Sequence, residues 1–232
     1  MTGILAALVV LALLVLMALA GYRDGIFFTA YALARNLFAF FCGLTFCEPA
    51  ARALTGVFND ARPAYDYFVA LSFAAIVGVV FVLGRTLKVR YTVPYVPCPT
   101  MADRAGGPIL GVFNAVIVSG MLLILWSLLP FAKYIPGDLG DARVNSRLLD
   151  TGTAMLRFYG YAEGRMGGNP FPLEDEPVLN DVNGNGRPDV VGESYDDRNH
   201  NGRWDRGWLW KYRNHAVLTP SDLEALPGVL SG

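Results

Sequence analysis

Charge is scarce in this chain. Only 17% of its 232 residues are Asp, Glu, Lys or Arg, against a hydrophobic share of 53%. That balance is too apolar for an ordinary water-soluble domain. Neither sign dominates, since the formal net charge is -1, and without a basic excess there is no patch to meet the phosphates of a nucleic acid. Catalytic groupings are missing too. There is no nucleophile elbow, no pair of histidines, no third group to orient a base, and no serine protease domain beside the apolar part. The chain therefore reads as non-enzymatic. The three cysteines, Cys42, Cys47 and Cys98, have neither a metal-ligand spacing nor the even count of a disulfide framework. They read as isolated buried or interfacial thiols.

What the chain has instead is long runs of apolar residues. Gly107 to Phe131 holds 25 residues without a charge, long enough at about 1.5 Å per residue to cross a hydrocarbon core of about 30 Å. Its first half carries Gly107, Gly111, Ala115 and Ser119. Small residues four apart share one helix face and allow another helix to approach closely. Three further apolar segments precede it, at about 3–20, 26–46 and 66–84. The first resembles a signal peptide, with a small-x-small site at Ala18-Leu19-Ala20, but no Lys or Arg precedes it and more membrane follows, so a retained first transmembrane helix is expected. Gly21-Tyr22-Arg23-Asp24-Gly25 is expected to form a tight polar turn, with glycines where positive φ is cheap.

The expected fold is thus an all-α integral membrane protein. Four transmembrane helices in residues 1–132 precede a post-membrane helix and linker at 133–177, then a small, loop-rich tail at 178–232. Arg35 and Asn36 stand near the middle of the second segment, where a charge costs at least about 2.5 kcal/mol and must face other helices or a wet cavity. Two readings stay open for them: an ion or substrate contact, or a structural pair with a snorkelling side chain. Glu48 to Pro63 reads as a loop, with a short interfacial helix as an option. Three prolines in TVPYVPCP exclude a long helix before Asp103-Arg104.

Basic residues in short loops set the expected orientation. Arg23, Arg85, Lys88, Arg90 and Arg104 fall on one side, and only Arg52 and Arg62 on the other. The first group should be cytoplasmic, which puts both termini outside.

GYRDG at the start of the second segment, Asp103-Arg104 followed by Gly107-xxx-Gly111, and Asn145-Ser146-Arg147-Leu148-Leu149 after the fourth segment together resemble the colicin V production protein family over roughly residues 1–160. The resemblance implies a bacterial inner-membrane protein linked to secretion and envelope maintenance, with no defined reaction and no catalytic residues.

In the tail, Val144 to Tyr159 has a helix-like apolar stripe at Leu148, Leu149, Met155, Leu156 and Tyr159. Gly164 to Pro177 reads as a linker. Two runs of the form D-x-N-x-N-G-x-x-D then start 16 residues apart. The first has Asp181, Asn183, Asn185, Arg187 and Asp189, and the second has Asp197, Asn199, Asn201, Arg203 and Asp205. They resemble the first nine positions of EF-hand calcium loops and, closely, the tandem repeats of extracellular bacterial proteins. Calcium takes six to eight oxygens at about 2.3–2.6 Å. Positions 1, 3, 5 and 9 offer side-chain oxygens, the glycine at 6 permits the turn, and position 7 (Arg187, Arg203) gives its carbonyl. The closing Glu of an EF-hand is displaced: position 12 is Gly192 in the first run and Trp208 in the second, and Glu193 comes one residue late. Affinity should accordingly be weak, about 10⁻⁴–10⁻³ M. A pair of metal-free Asx-Gly turns is the bland alternative.

Trp208-Leu-Trp210-Lys-Tyr212 suits a strand or an aromatic foot on the membrane surface. The expected partners are the lipid bilayer and a membrane-protein partner or second copy. Two alternatives to a scaffold of the envelope remain. One is a small transporter or channel component with Arg35 and Asn36 lining a path. The other is a membrane-anchored docking or adhesion module that depends on calcium.

Overall fold

The computed structural model describes residues 2–57, 65–90, 100–129, 150–166, 178–180, 194 and 207–209. Four helices make up almost all of this: α1 (Thr2–Val57), α2 (Tyr65–Arg90), α3 (Thr100–Leu128) and α4 (Thr151–Met166). Among the described residues there is no β-strand. Three helices are long and apolar enough to cross a membrane, over Ala7–Val57, Tyr67–Leu87 and Met101–Leu128.

The first of these is far too long for one straight crossing. Its 51 residues would extend about 77 Å, more than twice the hydrocarbon thickness. It is in fact two helices, α1a (2–24) and α1b (26–57), joined at Gly25, whose φ of 77° and ψ of 172° lie outside the helical region. Neighbours on α3 fix the direction of each half. Going back along α1a, Gly25 lies against Asp103, Gly21 against Gly107, and Met17 and Ala18 against Gly111. Going forward along α1b, Ile26 lies against Gly106 and Asn36 bonds Asn114. Both halves therefore leave Gly25 in the same direction along α3, and the chain doubles back at one residue.

α2 runs antiparallel to α1b, with Gly84 beside Arg35 and Tyr31, and Phe73 and Val77 beside Gly43. The N-terminus, α4 and residues 207–209 gather at the end away from the Gly25 turn. Phe40, Leu44, Cys47, Ala51, Tyr65, Val69 and Phe73 form a buried cluster there, which takes in Leu156 and Tyr159 of α4 and also Trp208 and Leu209. The outward surface is apolar, with Leu16, Phe38, Leu71 and Val82 exposed. So broad a greasy surface suits lipid and would be a liability in water.

Several element boundaries differ from the sequence reading. α1b does not stop at 46 but continues through Pro49 to Val57, so 48–57 is helix and not loop. Pro49 removes one backbone donor, while Arg52 and Glu48 lie 3.8 Å apart one turn on from each other. α3 starts at Thr100, so Asp103 and Arg104 sit in its opening turns and not in a lead-in. α4 runs to Met166, past the expected start of the linker at Gly164. Residues 92–99, 144–149 and 167–177, and with them the proline run, the Asn145–Leu149 motif and most of the linker, lie outside the described residues.

α4 begins where Asp150 caps it. The Asp150 carboxylate accepts from the Thr153 backbone N–H at 3.0 Å and from the Thr153 hydroxyl, satisfying a donor that a helix start otherwise leaves unpaired. Replacing Asp150 with Ala should lower unfolding stability by about 1 kcal/mol, measured by denaturant titration in detergent. Asp150→Asn should restore most of the loss.

Candidate functional site: the Gly25 turn and the Asn36 pair

Gly25 lies where positive φ meets extended ψ, a region open essentially to glycine alone. It starts α1b, yet it has no side chain to cap the helix. The cap comes from another element: the Ile26 N–H donates to Asp103 Oδ1 at 2.7 Å. Asp103 also lies in the first turn of its own helix, α3. One carboxylate thus serves the positive ends of two helices. The Thr29 hydroxyl closes the turn from the other side, donating to the Gly25 carbonyl at 2.7 Å.

Beside the turn, two glycine pairs interlock. A Cβ on Gly21 would fall on the Gly107 carbonyl oxygen, and one on Gly107 would fall on that of Gly21. A Cβ on Gly111 would meet the Met17 carbonyl and lie 3.0 Å from the Ala18 Cα. Gly21 and Gly25 on one helix and Gly107 and Gly111 on the other are each four apart. In antiparallel register they bring the two backbones into direct contact. The expected small-residue face therefore exists but serves two partners. Gly107 and Gly111 take α1a. Ser119 is turned to α4, where its hydroxyl bonds Thr151 Oγ1 at 3.0 Å. Ala115 is fully buried between them.

About 15 Å along α1b from the turn lies the second cluster. Arg35 donates from Nε (3.1 Å) and from a terminal guanidinium nitrogen (3.0 Å) to Asn36 Oδ1. The Asn36 amide in turn donates to Asn114 Oδ1 at 2.6 Å. The guanidinium carbon stands 4.4 Å from the centre of the Phe81 ring, within cation–π range. The Arg35 stem lies against Gly84, whose carbonyl accepts the Tyr31 hydroxyl at 2.7 Å. Arg35 thus has partners inside the bundle: its guanidinium meets an amide oxygen and a ring. Asn36, buried to 2% exposure, transmits that bond to α3.

Sequence reasoning singled out Arg35, Asn36 and the small-residue stripe. It missed Asn114, Asp103 as a cap, and Gly120, against which Met155 and the Thr151 carbonyl of α4 pack. Asn114, a polar residue in the middle of an otherwise apolar run, was a usable signal. The paired calcium runs, with Asp181, Asn183, Asn185, Arg187, Asp189, Glu193, Asp197, Asn199, Asn201, Arg203 and Asp205, lie outside the described residues.

Apolar helices locked by interleaved glycines, with polar side chains paired across the interior, define a multi-pass helical membrane protein. The family described as Colicin V production protein matches residues 7–151, well over half of the chain, and the chain belongs to that family. No curated protein and no solved structure matches it.

Gly25→Ala is strained by its positive φ and would also place a Cβ 2.7 Å from Asp103 Oδ1, displacing the cap. Asp103→Ala alone should cost about 1–2 kcal/mol. In the double variant it should add clearly less, a coupling of more than about 0.5 kcal/mol in a double-mutant cycle. Additive costs would show that the turn and the cap are independent.

Proposed function

We propose that this chain is a non-enzymatic inner-membrane protein of four crossings that supports secretion or envelope maintenance, with a tail outside the membrane that binds calcium. The observation that carries the four-crossing reading is the reversal at Gly25. α1a and α1b each have the length of a crossing, and the turn that joins them ends in exposed Arg23 and Asp24. Exposed Arg85 and Arg104 share that end, which favours the cytoplasmic face. The chain's beginning, α4 and Trp208 are then extracytoplasmic.

The calcium reading draws support from a backbone hydrogen bond, Leu179 N–H to the Ser194 carbonyl, at 2.7 Å. It ties together the two ends of the stretch 180–193, which holds the first D-x-N-x-N-G run and Glu193. External calcium is abundant enough for a site of low affinity. The burial of Trp208 and Leu209 in the bundle's cluster supports a tail that rests on the membrane part.

Transport is the second reading, favoured by one observation: Arg35, Asn36 and Asn114 make a polar chain at about half the membrane's depth. The two separate on Arg35→Ala. A transporter would lose flux of its solute while remaining folded. A scaffold would retain its co-purifying membrane partners.

Two measurements test the main reading. Single cysteines placed at position 23 and in the tail should react with impermeant reagent from opposite faces of the membrane; reaction from one face would remove the four-crossing topology. Calcium added to the full chain should change tryptophan emission with a midpoint of about 10⁻⁴–10⁻³ M, and Asp181→Ala with Asp197→Ala should abolish the change. Silence up to several millimolar would remove the metal.

A further inference from the structure

We infer that α4 lies in the lipid headgroup layer at the end of the bundle away from the Gly25 turn, and that its outer face binds anionic phospholipid through Arg157 and Arg165. This inference rests on the four-crossing reading above. α4 has two faces. Thr151, Met155, Leu156 and Tyr159 are buried against the bundle. Ala154, Arg157, Phe158, Tyr161 and Arg165 are exposed, and at about 100° per residue they share a single arc of about 100° on the opposite side. That arc carries two arginines and two aromatic rings. Arg165 stacks 5.4 Å from the centre of the Tyr161 ring, and Phe158, though 44% exposed, keeps an edge contact with Phe41.

Depth places this face. Asp103 marks the level of the Gly25 turn and Ser119, which bonds Thr151, lies 16 residues further along α3, or about 24 Å. Along α1b, Thr45 bonds Tyr159, 19 residues beyond Ile26, or about 28 Å. With the arginine-bearing turn at one headgroup layer, a hydrocarbon core of about 30 Å brings the Tyr159 end of α4 close to the other, with Thr151 a few ångströms deeper. Aromatic rings with a polar edge belong at that level, and arginine there meets phosphate. Asp150 starts the helix, and Ser119 and Thr45 pin its inner face at Thr151 and Tyr159, eight residues apart.

The test uses the full chain in phosphatidylcholine vesicles containing phosphatidylglycerol, with spin-labelled lipid of each kind reporting the fraction held at the protein surface. Wild type should prefer phosphatidylglycerol. Each of Arg157→Gln and Arg165→Gln should cut that preference by up to about fivefold, and Arg157→Lys with Arg165→Lys should keep it. An unchanged preference in the double Gln variant, with restricted lipid still present, would overturn the inference and leave the four crossings standing. No restricted lipid of either kind would overturn both. Inorganic phosphate that abolishes the preference at constant ionic strength would mark a soluble-anion site and overturn the lipid assignment.

Discussion

A carboxylate on one helix begins another. Asp103 accepts the Ile26 N–H at the point where Gly25 reverses the chain, and the packing of the bundle follows from that reversal. A helix start leaves backbone donors without intrahelical partners, and one packed against a neighbouring helix needs an acceptor from the protein. A side chain on residue 25 cannot serve, because only glycine reaches that backbone conformation. The cap must therefore come from outside the hairpin. Supplying it from α3 fixes α3 in register with both halves of α1, and the glycines follow: with Gly25 against Asp103, Gly21 is set against Gly107 and Met17 against Gly111. The close approach of backbones and the polar cap are one constraint expressed twice.

The same register places the interior polar residues. Asn36 is ten residues past Ile26, and Asn114 is eleven past Asp103, so parallel helices starting at one level bring the two amides together. The gain from such a bond in a membrane is modest, about 0.6 kcal/mol on average and up to about 1.7, which is less than the cost of placing Arg35 at that depth. The cluster is better understood as a remedy. Asn36 takes up the guanidinium through its oxygen and passes its own amide to Asn114. Phe81 covers the cation's face. Arg35 is tolerated because the polar groups around it are already tied to the fold.

The apolar runs were legible because hydrocarbon thickness imposes a length that composition alone displays. The polar turn was legible only in part: the reversal falls at Gly25 alone, while 21–24 end α1a as helix and Gly21 serves close packing against Gly107. The helix ends were not legible. Proline at 49 and charge at 48 and 52 argue for a loop, yet α1b continues because Cys47 and Ala51 are buried in the far cluster, and packing overrides local propensity. Asp103 looked like a lead-in residue because its role belongs to a helix start 77 residues earlier in the chain, a separation no local pattern can reveal. The stripe from Gly107 to Ser119 was visible as spacing, while its division between α1a and α4 depends on where the two partners end.

That division explains why α4 belongs to the bundle. The small face of α3 is used by α1a only as far as Gly111. Beyond it, Ser119 and Gly120 would present a shallow, polar-lined gap, and α4 fills it with Thr151 and Met155. On α1b, Tyr159 completes the seat, with its hydroxyl on Thr45 and its ring 5.0 Å from that of Phe41. A helix fixed on one side by glycine clearance and on the other by a tyrosine has no freedom to face its arginines inward. The arrangement that locks the hairpin at one end thus leaves, at the other, a seat whose occupant must show its cationic and aromatic side to whatever surrounds the bundle.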